Sequence, residues 1–156
     1  MKPFRSSKLL ELFTFHNRRK NSDNGVLTQV LECIPSVKVL SLDFCEESSG
    51  NEFFSEELLK RLYPPHADIL LPNLQHFTYC GPTSLTEHSH LFRDVLVYRF
   101  RQCDLRQVAV DSERTVSRIQ SVDVMSLSPF VISPDIQEEL DTLRYDGLQL
   151  SMTDFT

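Results

Sequence analysis

The triplet His88-Ser89-His90 is where metal-ligating side chains crowd most closely, with His66, His76 and Cys80 nearby in the chain. Zinc takes three or four ligands at about 2.0–2.3 Å, and spacings such as C-x-x-C or H-x-x-x-H supply them from one turn. No such spacing occurs here, and on a helix the two histidines of the triplet point roughly 200° apart. The expectation is a solvated helix start, with no metal and no cofactor. Cys103 follows Arg99 and Arg101, whose charges favour a thiolate. It lacks an oxyanion-donating turn or an orienting Asn, so it reads as a packed thiol rather than a nucleophile. There is no G-x-S-x-G elbow around any serine. The pairs Glu46/Glu47 and Glu56/Glu57 are adjacent and diverge, so neither can bracket a glycosidic bond. The residues able to do chemistry are not arranged to do it, and the expectation is a protein that is not an enzyme.

Bulk properties narrow the classes further. The 156 residues suit a single domain, and 40% hydrophobic with 24% charged residues is a globular rather than a disordered composition. A net charge of −6 argues against a nucleic-acid footprint, which needs clustered Lys and Arg. The basic run Arg18-Arg19-Lys20 sits among Asn17, Asn21 and Asp23 and reads as a solvated turn. No apolar run approaches the ~18 residues of a spanning helix, and the first residues lack a signal-peptide core. Cys33, Cys45, Cys80 and Cys103 are scattered, as buried reduced thiols would be. These features predict a cytoplasmic or nuclear protein with no membrane and no nucleic-acid partner.

What positions these residues is a repeated rhythm. The template apolar-x-x-apolar-x-apolar recurs at Leu10/Phe13/Phe15, Val37/Leu40/Leu42, Leu74/Phe77/Tyr79 and Leu105/Val108/Val110. Its first positions lie 27, 37 and 31 residues apart, which suits similar units with unequal outer connections. Within each template the last two apolar residues alternate with a polar one, the signature of a half-buried strand.

Helical segments fall between these strands. Residues 24–34 place Val26, Val30, Leu31 and Ile34 on one face behind a candidate cap, Asn24. Residues 55–63 begin with Ser55 as cap and Glu56/Glu57 in the first turn, and Pro64-Pro65 ends them. Residues 86–100 carry Leu91, Val95 and Tyr98 at i, i+4 and i+7. Residues 133–147 have Ser133 as cap, Pro134 at the first position and Gly147 after the end. Leu148, Leu150 and Met152 then alternate as a last strand. The stretch 111–133 holds Val122 and Val124 in alternation and predicts an extra edge strand at most. Strand then helix, repeated, requires a parallel sheet, because a helical crossover returns the chain in the same direction. The predicted fold class is α/β. It comprises one repeat-type domain over 1–156, with units near 10–15, 37–42, 74–79 and 105–110 and a terminal helix–strand unit at 133–152.

The segment VKVLSLDFC (37–45) resembles a leucine-rich repeat, with Cys45 in the Asn/Cys place of the L-x-x-L-x-L-x-x-N/C frame. Arg18, Pro82 and Glu113 hold that place in the other units. More narrowly, LLPNLQHFTYCG (70–81) is similar to the C-terminal half of fungal F-box proteins. So is the order that follows, VYRFRQ, LRQVAV, a last helix and LRYDGLQLSM. The resemblance implies a solenoid with a parallel strand face and outer helices, used to recruit substrates to a ubiquitin ligase. The N-terminal F-box of that family is not found in these residues. An adaptor of a cullin-type ligase is therefore implied only if an F-box lies upstream.

The expected function is a protein-interaction scaffold with an unknown protein partner. The alternatives are a truncated repeat domain with no adaptor link, or a small α/β enzyme. Residues between the ladder positions, Thr14, Ser41, Thr78 and Ala109, are expected on the open strand face. Lys38, Gln75 and Arg106 should form a polar stripe beside them. The partner-binding candidates are Lys38, Ser41, Gln75, Thr78 and Arg106, with Phe53 and Phe54 as aromatic anchors in the long 43–57 loop.

Overall fold

The alternating segments assemble as neighbours in the order in which they occur. The computed structural model describes residues 11–16, 24–44, 56–63, 69–83, 85–102 and 116–154. Five strands form one sheet: β1 (Leu12–His16), β2 (Val39–Asp43), β3 (His76–Gly81), β4 (Ser121–Ser126) and β5 (Gln149–Asp154). Their spatial order is β1-β2-β3-β4-β5 and every adjacent pair is parallel. Among the described strands the order does not reverse, so they form no switch-point crevice of the kind that holds ligands in doubly wound folds.

The expectation for strands near 10–15, 37–42 and 74–79 holds, as does the last strand. The fourth needs correction. β3 has β2 on one side and β4, at residues 121–126, on the other. Residues 105–110, including Leu105, Val108 and Val110, lie outside the described residues. The reason is degeneracy: Ile119, Val122 and Val124 meet the same template, and all three are buried.

Register turns the template into two ladders. Phe13, Leu40, Phe77, Val122 and Leu150 occupy one row across the sheet, and Phe15, Leu42, Tyr79, Val124 and Met152 the next. The first row is 27, 37, 45 and 28 residues apart along the chain, and equal register at unequal spacing means the connections absorb the difference. Aromatic packing runs through both rows: Phe77 stacks on Tyr79 at 6.4 Å and Phe44 bridges Phe15 and Tyr79 at 5.7 and 5.9 Å.

Helices cover this face of the sheet. They are α1 (Asn24–Glu32), α2 (Glu56–Leu62), α3 (Leu85–Val97) and α4 (Pro134–Tyr145). Their apolar stripes join the ladders in one core: Leu27 and Leu31, then Leu58, Leu59 and Leu62, then Phe92, Val95 and Leu96, then Ile136, Leu140 and Leu143. On α1 the buried face is rotated from the predicted one, since Leu27 is inside and Val30 is 39% exposed. Two of the α4 signals work as read: Pro134 opens it, and Gly147 follows at φ +117, a left-handed conformation cheap only for glycine, whereas Ser133 holds the cap position without a side-chain hydrogen bond to the helix. Ion pairs lace successive helices, Arg61 with Glu32 at 2.8 Å and Arg93 with Glu139 at 3.2 Å. Hydrogen bonding to Asp94 raises the Arg93 pKa still further, so its charge is permanent. Each exposed pair is worth roughly 0–1 kcal/mol.

A π-turn, Tyr98–Gln102, extends α3 and buries Tyr98, Arg99 and Phe100 in succession. Arg99 has no exposed surface. Its Nε donates to the Leu62 carbonyl at 2.7 Å, Nη1 to Leu71 at 2.9 Å and Nη2 to Leu70 at 2.7 Å. One side chain thus satisfies the C-terminus of α2 and the turn into β3, where Leu71 is held at φ +53. Gly81 ends β3 where no side chain fits: an added Cβ would lie 2.9 Å from the Phe44 Cβ and 3.0 Å from the Tyr79 hydroxyl.

Candidate functional site

A parallel sheet is normally covered on both faces, because its crossovers lay helices on each. Here the crossovers with described helices all pack on the ladder face, and the alternate residues point the other way. Three outward rows result. Leu12, Val39, His76, Ser121 and Gln149 form the first; Thr14, Ser41, Thr78, Asp123 and Ser151 the second; His16, Asp43, Cys80, Met125 and Thr153 the third. Adjacent residues in a row are about 4.8 Å apart. The middle row is short-chained and polar, with four hydroxyls and the exposed carboxylate of Asp123, so the floor of this face is shallow and wet.

Polar contacts across strands tie the face together. His16 Nδ1 lies 3.1 Å from Asp43 Oδ2, and His76 Nδ1 lies 2.8 Å from the Ser121 hydroxyl. A Ser–His contact is what a nucleophile and base require, but a third group must orient the base. Among the described residues no carboxylate is bonded to His76.

The sequence-derived candidates fall in different places. Ser41 and Thr78 are register partners in the middle outward row, joined there by Thr14. Lys38 and Gln75 are neighbours too, since the Gln75 amide donates to the Lys38 carbonyl at 2.8 Å. They sit one residue before the strands, at the rim of the face, in a polar row that continues with Gln120 on one side and Glu11 on the other. The Lys38 ammonium is paired with Glu11 at 2.8 Å. Arg106, Ala109, Phe53 and Phe54 lie outside the described residues, as do Cys103 and His66.

His88 and His90 are on α3, and among the described residues no group of three or more His, Cys, Asp or Glu converges. The expectation of buried reduced thiols is corrected at two positions. Cys33 is free and exposed, and Cys80 is half-buried and disulfide-bonded. The cause is parity: Phe77 and Tyr79 face the core, so Cys80 must face outward. Among the described residues no helix is long and apolar enough to cross a membrane.

The sequence reading missed Asp123, Ser121 and Met125 on this face because it offered the Val122/Val124 stretch only as an extra edge strand, whereas β4 lies inside the sheet between β3 and β5. The signal was present in the alternation Ser121-Val122-Asp123-Val124. Comparison of the chain with protein-family models, with curated proteins and with solved structures finds no match.

Proposed function

We propose that the chain is a protein-interaction module of leucine-rich-repeat-like, solenoidal construction that presents its open strand face to a protein partner. One observation supports this reading: a five-strand parallel sheet in chain order is, among the described residues, sheathed by helices on one face. A bare parallel face leaves polar and apolar side chains in regular rows, which is a recognition surface without need of a pocket. Ser41 and Thr78 supply the floor, and Lys38 and Gln75 the rim. Arg106, Phe53 and Phe54 are further candidates from the sequence. In the finer reading, the module recruits substrates for an F-box-like ubiquitin-ligase receptor. The alternative is the same binding domain with no ligase link.

The test uses the whole chain as bait. Ser41→Arg with Thr78→Arg puts two long cations on the open face, where neither position contributes to the core. Thermal stability should stay within a few degrees of the parent, and any partner held by the parent should be lost. Gln137→Arg on the far side of α4 should retain it. A partner that survives the double substitution does not use this face. The ligase link is tested separately with the purified cullin-ligase adaptor: retention joins the chain to the ligase, and its failure leaves the binding module alone.

A further inference from the structure

Cys80 is disulfide-bonded, and reach decides which cysteine it is bonded to. The chain has four cysteines, Cys33, Cys45, Cys80 and Cys103, and Cys33 is free. That leaves Cys45 and Cys103. Both lie outside the described residues, but each is joined by one peptide bond to a described one, Phe44 and Gln102. A disulfide needs Cα atoms about 4.4–6.8 Å apart, with the two Cβ atoms facing each other.

Phe44 lies against Cys80. Its amide donates to the Cys80 carbonyl at 2.6 Å, and the residue before it, Asp43, is the register partner of Cys80. The next Cα along the chain is about 3.8 Å from that of Phe44. Parity agrees with reach. Leu42 and Phe44 are buried in the core, so Asp43 points to the open face, as Cys80 does. Alternation past Phe44 brings the following position back to that face.

Gln102 lies at the other end of the strands. α3 leaves the C-terminal end of β3 and runs back toward its start, and the π-turn Tyr98–Gln102 continues it. There the Arg99 carbonyl accepts from the Ile119 amide, just ahead of β4, and Arg101 pairs with Asp146, just ahead of β5. Cys80 stands four residues beyond the start of β3, about 13 Å further along at 3.3 Å per residue. It also points away from the helical layer that the turn extends. One more residue adds about 3.8 Å to the reach of Gln102, so Cys103 falls short.

We propose that Cys80 is joined to Cys45, and that this bridge is a redox-sensitive clamp on the open face. It fastens the exit of β2 to the far end of β3 and closes a covalent ring through α2 and the approach to β3. Such a ring stabilises mainly by restricting the unfolded chain, and more so when it is long. A dithiol opens it: the S–S bond breaks, both sulfurs take up protons as thiols, and the reductant is oxidised to its own disulfide. The bridge forms whether or not a partner uses the face.

The full chain, unfolded in guanidinium without reductant and alkylated, should carry label on Cys33 and Cys103 alone. Its digest should contain one linked pair of peptides, bearing Cys45 and Cys80, that dithiothreitol separates. Cys103→Ser should keep that pair, whereas Cys45→Ser should leave Cys80 open to alkylation. Dithiothreitol should lower the urea midpoint of the parent and leave that of Cys45→Ser unmoved. Label on all four cysteines overturns the proposal, as does a linked pair joining Cys80 to Cys103 or Cys33. A parent midpoint that reduction does not move, or one that falls equally in Cys45→Ser, overturns the clamp.

Discussion

Replacing Arg99 by Ala should lower the unfolding free energy by roughly 3–5 kcal/mol, read as a shift in the urea midpoint. The size follows from what the guanidinium leaves behind. Three carbonyls, of Leu62, Leu70 and Leu71, lose a charged donor in a place water does not reach, and the side chain's own volume becomes a cavity. The Leu62 carbonyl also closes the end of a helix, where a cation is favoured by the dipole. Arg99→Met separates the two contributions: it restores most of the volume and none of the bonds, so it should recover only part of the loss. Arg99→Lys should likewise fall short, because one ammonium on a flexible stem does not reproduce a planar fork aimed at three acceptors. A loss under about 1 kcal/mol for Arg99→Ala would show that the carbonyls find other donors.

Phe77→Ala is expected to cost about 3–5 kcal/mol, the range for a fully buried aromatic ring. Phe77 is 5% exposed and lies mid-ladder between Leu40 and Val122, with Tyr79 stacked beside it. Neighbours on both sides are held by their own strands, so the void cannot collapse. Phe13→Ala removes the same ring from the edge of the same row, where it is half-buried, and should cost clearly less. Equal losses at the two positions in equilibrium denaturation would contradict the ladder.

The ladder was legible before any coordinates because a strand with one buried face must alternate, and Leu40/Leu42 and Phe77/Tyr79 alternate in matching phase. The last unit was legible for a different reason: Pro134 and Gly147 mark both ends of α4 through backbone constraints that hold in any context. β4 was legible only as an extra edge strand because a template of three apolar positions is satisfied by residues 105–110 as well as by 119–124, and sequence spacing alone does not say which one pairs with β3. Arg99 was invisible as a core residue because charge is the usual sign of a surface. Its position was nonetheless marked, since it follows Leu85, Ser89, Phe92 and Leu96 at the spacing of the buried stripe. The open face was half legible: Ser41 and Thr78 follow from alternation, whereas Asp123 could not be placed without β4, and the outward turn of Cys80 required its parity to be set against Tyr79.

Chain-order pairing also governs how damage spreads. Each strand touches only the strands before and after it, so a lesion at one end reaches the other only by passing through every unit between. β3 has two units on either side, and its amides should be the last to exchange with solvent. Among the described strands β1 and β5 each pair on one side and can fray without dissolving the middle. The molecule therefore carries a built-in gradient of persistence, firm at its centre and yielding at its margins.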